Sequence, residues 1–341
     1  MALNHGGRLR VASARYGIAL DAWLDLSTGI APWPYPVPAV PSRVWARLPE
    51  ADDGLIATAA DYYQAPAGEI VALPGSQFAI QALPKAVRTT RGPARIGVPA
   101  VGYTEHAQAW AMAGHELVRY HDLAELEGIA VALDHAVVIQ PNNPTAEQAD
   151  SDTLAGLADE LVRRDGLLLV DAAFADCNPG IHTTAWPANV LVLRSVGKFF
   201  GLAGVRLGFL IGRAPEVACL QAQLRPWGVS HPARWIGCHA LADRDWQAAQ
   251  QARIAAGAHA LTTRLETVFL QQAVVSAGLF TSVFFDDGEQ AGRIHAALAE
   301  QAIWTRLGDN GRWLRFGLPG NGTAQTRLGA ALETVAERGL C

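Results

Sequence analysis

Apolar residues in this chain come in two textures. Short, mostly apolar runs occur at 70–73, 95–98, 116–120, 136–140, 167–170, 190–193 and 207–211. Runs of this length with few polar interruptions predict buried strands. Between them, apolar positions recurring every three or four residues predict helices over about 53–63, 75–87, 103–112 and 151–164. Asp150 supplies the cap of the last of these, and Gly166 closes it. The repeated strand-then-helix pattern predicts an α/β domain with a mostly parallel sheet flanked by helices. After about Trp227 the alternation fades into a long alanine-rich helix over 243–269. Strands at 274–276, 281–285 and 313–316 and helices at 289–301 and 323–337 follow, which predicts a smaller α+β unit. Residues 1–30 read as an irregular arm with one helix-like piece. The spaced prolines of A-P-W-P-Y-P-V-P-A-V-P, 31–41, predict an extended linker laid over the surface. The expected organisation is therefore an arm and linker (1–41), a large α/β domain (42–242) and a small α+β domain (243–341).

Composition narrows the class. Half of the 341 residues are hydrophobic and 17% are charged, with a formal net charge of −5, as in a compact globular protein. No run of Lys and Arg is present, so nucleic acid is not an expected partner. No apolar run approaches the roughly 18 residues of a membrane span, so no membrane partner is expected. The opening M-A-L-N-H-G-G-R-L-R has no apolar core of the secretory kind. Cys177, Cys219, Cys238 and Cys341 are scattered without a C-x-x-C pair, which fits reduced thiols in the cytoplasm and no metal site.

Ligands of parallel α/β sheets collect at the carboxyl ends of the strands, so the residues just after each strand carry the chemistry. Gly75-Ser76-Gln77 opens a helix, and its free N–H groups and hydroxyl suit a phosphate; an ordinary capped turn reads the same way. Tyr103 suits stacking on a planar ring, or the edge of a core. Asn143, in N-N-P-T, offers a donor to a phenolic oxygen, or builds a turn. Asp171 ends the run L-L-L-V-D, where a buried carboxylate needs a partner such as a protonated ring nitrogen. Lys198, in V-G-K-F-F-G, has apolar and glycine neighbours that disfavour its ammonium form, as in a Schiff-base lysine; the alternative is a glycine-rich turn with an incidental lysine. Ser195 and Arg206 lie on either side of it and both suit phosphate. Taken together, these residues describe a pyridoxal-phosphate site.

On these motifs the chain resembles the fold-type I aminotransferase superfamily over almost its full length. The resemblance implies a large cofactor-binding α/β domain plus a small α+β domain, with pyridoxal 5'-phosphate carried by Lys198. It implies that Asp171 pairs with the ring nitrogen, Asn143 with the ring hydroxyl, and that Tyr103 stacks on the ring. Gly75, Ser76, Gln77, Ser195 and Arg206 would hold the phosphate. Tyr62 would reach the neighbour's phosphate across a homodimer with its site at the interface. Lys198, Asp171 and Tyr103 are the implied catalytic residues. Arg315, in W-L-R-F-G-L, matches the substrate-carboxylate arginine and suits bidentate anion recognition, although an exposed strand arginine reads the same.

Within the superfamily the chain is most similar to the threonine-phosphate decarboxylase group, with histidinol-phosphate aminotransferases next. Three features carry this: His5-Gly6-Gly7, Phe174 in D-A-A-F where most relatives have tyrosine, and G-Y-T-E-H followed by S-V-G-K-F-F-G-L-A-G-V-R-L-G. Ala146 and Gly197 depart from the usual glycine and serine. The implied activity is decarboxylation of L-threonine O-3-phosphate in cobalamin biosynthesis, with His5, Gly6, Gly29, Asn143 and Arg315 binding substrate. A transamination of a phosphorylated substrate such as histidinol phosphate is the alternative, and a non-enzymatic binding role the third reading.

Overall fold

The computed structural model describes residues 6–177, 187–224 and 226–341. Its strands in chain order are β1 (Leu24–Asp25), β2 (Ile70–Leu73), β3 (Arg95–Pro99), β4 (Glu116–Tyr120), β5 (His135–Ile139), β6 (Leu168–Asp171), β7 (Val190–Ser195), β8 (Gly208–Ile211), β9 (Ala273–Ser276), β10 (Phe280–Phe284), β11 (Ile303–Trp304), β12 (Arg306–Leu307) and β13 (Trp313–Gly317). The chain forms two compact units, one of residues 35–143 and 147–248, the other of 1–34, 144–146 and 249–341.

The first unit is built on a seven-stranded sheet of order β2-β8-β7-β6-β5-β3-β4, in which only the pairings of β8 are antiparallel. β2, β3, β5, β6 and β7 therefore all end on one edge. One sheet face is filled by Leu73, Val98, Val137, Leu169, Leu191 and Leu210. The helix Ser76–Arg91 packs Ile80, Leu83 and Val87 onto it. Burial of aliphatic side chains on this scale, roughly 2 kcal/mol for each, fixes where the strand ends stand. The helices predicted at 53–63, 75–87, 103–112 and 151–164 are present as Leu55–Tyr63, Ser76–Arg91, Thr104–Met112 and Ser151–Val162. Asp150 accepts from Thr153 N at 2.8 Å, the cap expected of it. The helices Leu123–Ile129, Pro215–Gln223 and His231–Ala242 lie outside the predicted set. In the proline-rich stretch Tyr35 is buried, its N donating to Phe200 O at 2.9 Å and its ring meeting Trp246 at 5.1 Å.

The second unit holds an antiparallel sheet, β12-β13-β10-β9, and a parallel pair, β1-β11. The β1–β11 pair was not predicted. Two residues carry no periodicity, and the partners, Leu24 with Ile303 and Asp25 with Trp304, are far apart in sequence. Tyr16, Trp23 and Trp304 close around it edge to face, at 5.8–6.4 Å between ring centroids. Among the described residues no helix is long and apolar enough to cross a membrane.

His135 opens β5 inside the core, 3% exposed, with Nδ1 accepting from Leu167 N at 3.0 Å. That bond requires the neutral ring. Burial, with Arg91 nearby, pushes the imidazole down to about 4. Above pH 6.5 the ring is neutral folded and unfolded; as pH falls, the unfolded chain takes the proton first. Stability is therefore expected to fall by roughly 3 kcal/mol between pH 6.5 and 4 through this group. His135→Asn keeps an acceptor for Leu167 N but does not titrate. Urea midpoints from pH 7 to 4.5 should fall less steeply in the variant, and parallel slopes would remove His135 as the cause.

Candidate active site

The common strand edge brings Gly75, Tyr103, Asn143, Asp171 and Ser195 to one side of the sheet. At the first of these, Gly75 turns the chain at φ +79° into the helix Ser76–Arg91. A side chain there is excluded twice, by that backbone angle and by Arg206, whose Nη2 would stand 2.5 Å from a Cβ. The guanidinium thus lies directly against the opening of the helix. Gly208 also has no room, because Ser76 N would be 2.5 Å from its Cβ. Ser195 is the register partner of Gly208 across β7 and β8. Gly75, Ser76, Ser195 and Arg206 accordingly form one cradle: helix-start N–H groups, hydroxyls and a cation, the donor set an anion needs.

Asp171 ends β6 and is 4% exposed. Its Oδ1 accepts from Ala173 N at 3.1 Å and its Oδ2 meets His106 Nε2 at 2.8 Å. His106 follows Tyr103 by one helical turn and is 1% exposed. The sequence reading named a ring nitrogen as one possible partner of Asp171; the protein itself supplies another in His106. His106 Nδ1 has no hydrogen-bond partner among the described residues. Tyr103 donates its OH to Gln77 Oε1 at 2.9 Å, and Gln77 Nε2 donates to Glu105 Oε2 at 2.9 Å. Gln77 is therefore engaged with Tyr103 and Glu105. Burial, then the carboxylates of Glu105 and Asp171, push the Tyr103 phenol well above its ordinary value, so it stays protonated.

Lys198 is half-buried between Gly197 and the fully buried Phe199 and Phe200. Its Nζ lies 5.1 Å from the centroid of the Phe174 ring. Gly197 has no room to spare: a Cβ would stand 3.1 Å from Ala203 Cα, and its N donates to Ser195 Oγ at 3.3 Å. After β5, Asn142 is buried and donates Nδ2 to Val101 O at 2.9 Å, while Asn143 beside it is half-buried. Ala146 takes φ +59°, the left-handed conformation that explains why glycine is usual at this place. Tyr62 sits with Tyr63 at 4.8 Å, Phe200 at 5.7 Å and Arg244 at 5.2 Å, and burial first, then Asp176, push its phenol well above its ordinary value. It is thus a neighbour of the lysine loop within its own chain.

The other unit carries its own cationic group. Arg315 on β13 is 7% exposed, donates Nη2 to Ser27 O at 2.5 Å and lies over the Phe280 ring at 5.4 Å. Arg306 is its register partner across β12 and β13, so both side chains leave the same sheet face. Burial first, then Arg306, push the Arg315 guanidinium down to about 10. Arg306 is half-buried and paired with Asp309 at 3.1 Å, so the buried Arg315 is the group here that most favours an added anion. Gly6 and Gly29 belong to this unit, whereas His5 lies outside the described residues.

Sequence reasoning missed His106 and Arg306. The first had a weak signal, a histidine one turn beyond the proposed stacking ring. The second had a clearer one, because G-D-N-G between 308 and 311 is a hairpin turn that sets 306 opposite 315.

The family model "Aminotransferase class I and II" matches residues 45–330. The chain is 46% identical to a threonine-phosphate decarboxylase of Pseudomonas aeruginosa, covering 97% of each chain. A second, from Sinorhizobium sp., is 37% identical, with 97% of this chain and 98% of the relative covered. In fold it is similar to histidinol-phosphate aminotransferase from Sinorhizobium meliloti in complex with pyridoxal-5'-phosphate, at TM-score 0.83 and 20% identity, covering 99% of this chain and 96% of that one. It is also similar to L-threonine-O-3-phosphate decarboxylase from Porphyromonas gingivalis, at TM-score 0.72 and 18% identity, covering 92% and 99%. The cradle, the buried carboxylate and the lysine loop all lie inside the matched span, and the chain belongs to the aminotransferase class I and II family.

Proposed function

We propose that this protein is a pyridoxal-phosphate-dependent decarboxylase acting on L-threonine O-3-phosphate. The products are CO2 and (R)-1-aminopropan-2-ol O-2-phosphate, a side-chain precursor in cobalamin biosynthesis. The observation that carries this reading is the 46% identity to a threonine-phosphate decarboxylase over 97% of both chains. The protein works as a cytoplasmic homodimer in this reading.

The residues present fit the cofactor. The Gly75 turn leaves a side-chain-free seat faced by Arg206, which suits a phosphate dianion. Asp171 is a buried carboxylate with one oxygen on His106. Lys198 would hold the carbonyl carbon, Tyr103 the ring face, Asn143 the ring hydroxyl. When bound, pyridoxal phosphate supplies an electron sink for the pair left behind as CO2 departs.

The chain's own residues would do the rest. Asp171, fixed through His106, would keep a proton on the ring nitrogen. Arg306 and Arg315 hold the substrate's anionic groups, with Gly6, Gly29 and His5 assigned to the same task. Holding those groups would set the substrate's rotation about Cα, and with it which bond at Cα breaks. Lys198, as an ammonium, returns a proton to Cα.

The deciding experiment mixes cofactor-loaded protein with L-threonine O-3-phosphate, without a keto acid, and measures CO2. Catalytic release is expected. No CO2, with turnover of histidinol phosphate that requires 2-oxoglutarate, would overturn the reading in favour of transamination.

Phe174 gives the ring oxygen one donor fewer than tyrosine would. A phenol there favours the ionised ring oxygen, so Phe174→Tyr is expected to lower the pKa at which the bound cofactor's visible absorbance titrates. An unchanged or higher titration midpoint would contradict this.

A further inference from the structure

Ser27 is fully buried and ties together three segments of its unit. Its Oγ accepts from Gly7 N at 2.7 Å and donates to Asp25 Oδ1 at 2.6 Å, and its own N donates to the same oxygen at 2.9 Å. Its carbonyl oxygen accepts Nη2 of Arg315 at 2.5 Å. Gly6 packs on that same oxygen so closely that a Cβ would come within 2.4 Å of it.

The residues around Ser27 are held just as firmly. Leu26 N donates to Trp304 O at 2.8 Å, and Gly317 N donates to Leu26 O at 2.7 Å. Gly317 in turn has no room for a side chain, because Thr28 O would stand 2.5 Å from its Cβ. Leu26 thereby ties the backbone next to Ser27 to both β11 and β13, the strand that carries Arg315. The Asp25 carboxylate does two things at once. It fixes the Ser27 hydroxyl and it favours the charged form of Arg315.

We infer that Ser27, held by Asp25, is the positioning residue that seats the Gly6–Gly7 segment on the same carbonyl group that holds Arg315, so that arm and arginine act as one phosphate-recognition unit. This rests on the decarboxylase reading and on Arg315 holding the substrate's phosphate and leaving the carboxylate free. The two jobs belong to different atoms: the hydroxyl holds the arm, the carbonyl holds the arginine. Ser27→Ala therefore releases the arm and leaves the Arg315 bond in place. Gly6→Ala attacks the same seat from the other side, since its methyl group collides with the Ser27 carbonyl.

The test uses the full-length, cofactor-loaded protein. Both variants are expected to raise KM for L-threonine O-3-phosphate by about tenfold with kcat within about threefold of wild type, because arm seating contributes to binding and not to the reacting bond. A second readout does not depend on turnover. Trypsin cuts after Arg8 and Arg10, both exposed, and these cuts should be several-fold faster in each variant. Inorganic phosphate or L-threonine O-3-phosphate should slow them in wild type alone, and L-threonine should not. Equal falls in kcat and kcat/KM, or cleavage that is the same in wild type and variants, would overturn the inference. If wild type releases no CO2, the decarboxylase reading fails, while the cleavage comparison with inorganic phosphate still decides the seat.

Discussion

Lys198→Ala is expected to lower kcat for CO2 release by at least about 10,000-fold, because one amine is assigned both to anchoring the cofactor and to returning the proton to Cα. The loss should be chemical and not a collapse of the fold. The loop backbone is fixed by the Gly197 N to Ser195 Oγ bond and by two fully buried phenylalanines, none of which involves the lysine side chain. Stability is expected to change by less than about 1 kcal/mol. The variant should also bind pyridoxal phosphate without the visible band of a lysine-linked cofactor. Turnover within tenfold of wild type would remove Lys198 from both roles. Phe174 makes the expectation sharper, since Lys198 Nζ stands over a hydrocarbon ring at 5.1 Å and no tyrosine hydroxyl there can substitute as the acid.

The strands and helices that carry the residues assigned to the cofactor were legible from local pattern: short unbroken apolar runs for the strands, apolar recurrence every three or four residues for the helices. Gly75 and Arg206 were legible for a different reason: a glycine after a strand and a cation after a glycine-rich loop are local signals. Their direct contact was not, because it depends on β2 and β7 both lying beside β8. The same gap explains His106. Its partner is 65 residues away at the end of β6, and the two meet because the helix after β3 starts on the edge where β6 ends, two strands away across β5. Gln77 shows a related gap. Its place in the turn puts its backbone N–H at the helix start, while its side chain reaches Tyr103 and Glu105, a pairing that local sequence does not reveal. The N-terminal arm read as irregular since β1 is two residues long, and its register is set entirely by β11. Helix and strand identity thus followed from local pattern, while the pairing of charges followed from sheet order.

Asp171→Asn should separate the charge of that site from its shape. Asparagine fills the same volume and can still meet His106 and the Ala173 N–H, which are 2.8 and 3.1 Å from the carboxylate oxygens. What it lacks is the negative charge that keeps a proton on the ring nitrogen. A fall in kcat of about 100- to 1000-fold is expected, the size of effect seen when one electrostatic stabiliser of a transition state is removed. KM should move far less, because Asp171 is assigned to the ring nitrogen, and Arg306 and Arg315 to the substrate's anions. His106→Gln keeps a donor to Asp171 but loses the imidazole, so its effect on kcat should be smaller than that of Asp171→Asn. If His106 acts only through Asp171, the double variant should be no slower than Asp171→Asn alone, a non-additivity that two independent contributions would not produce. Additive losses would instead give His106 a role of its own, with its Nδ1 as the atom to examine. Retention of more than about a third of wild-type kcat in Asp171→Asn would mean that geometry, and not charge, is what the buried carboxylate contributes.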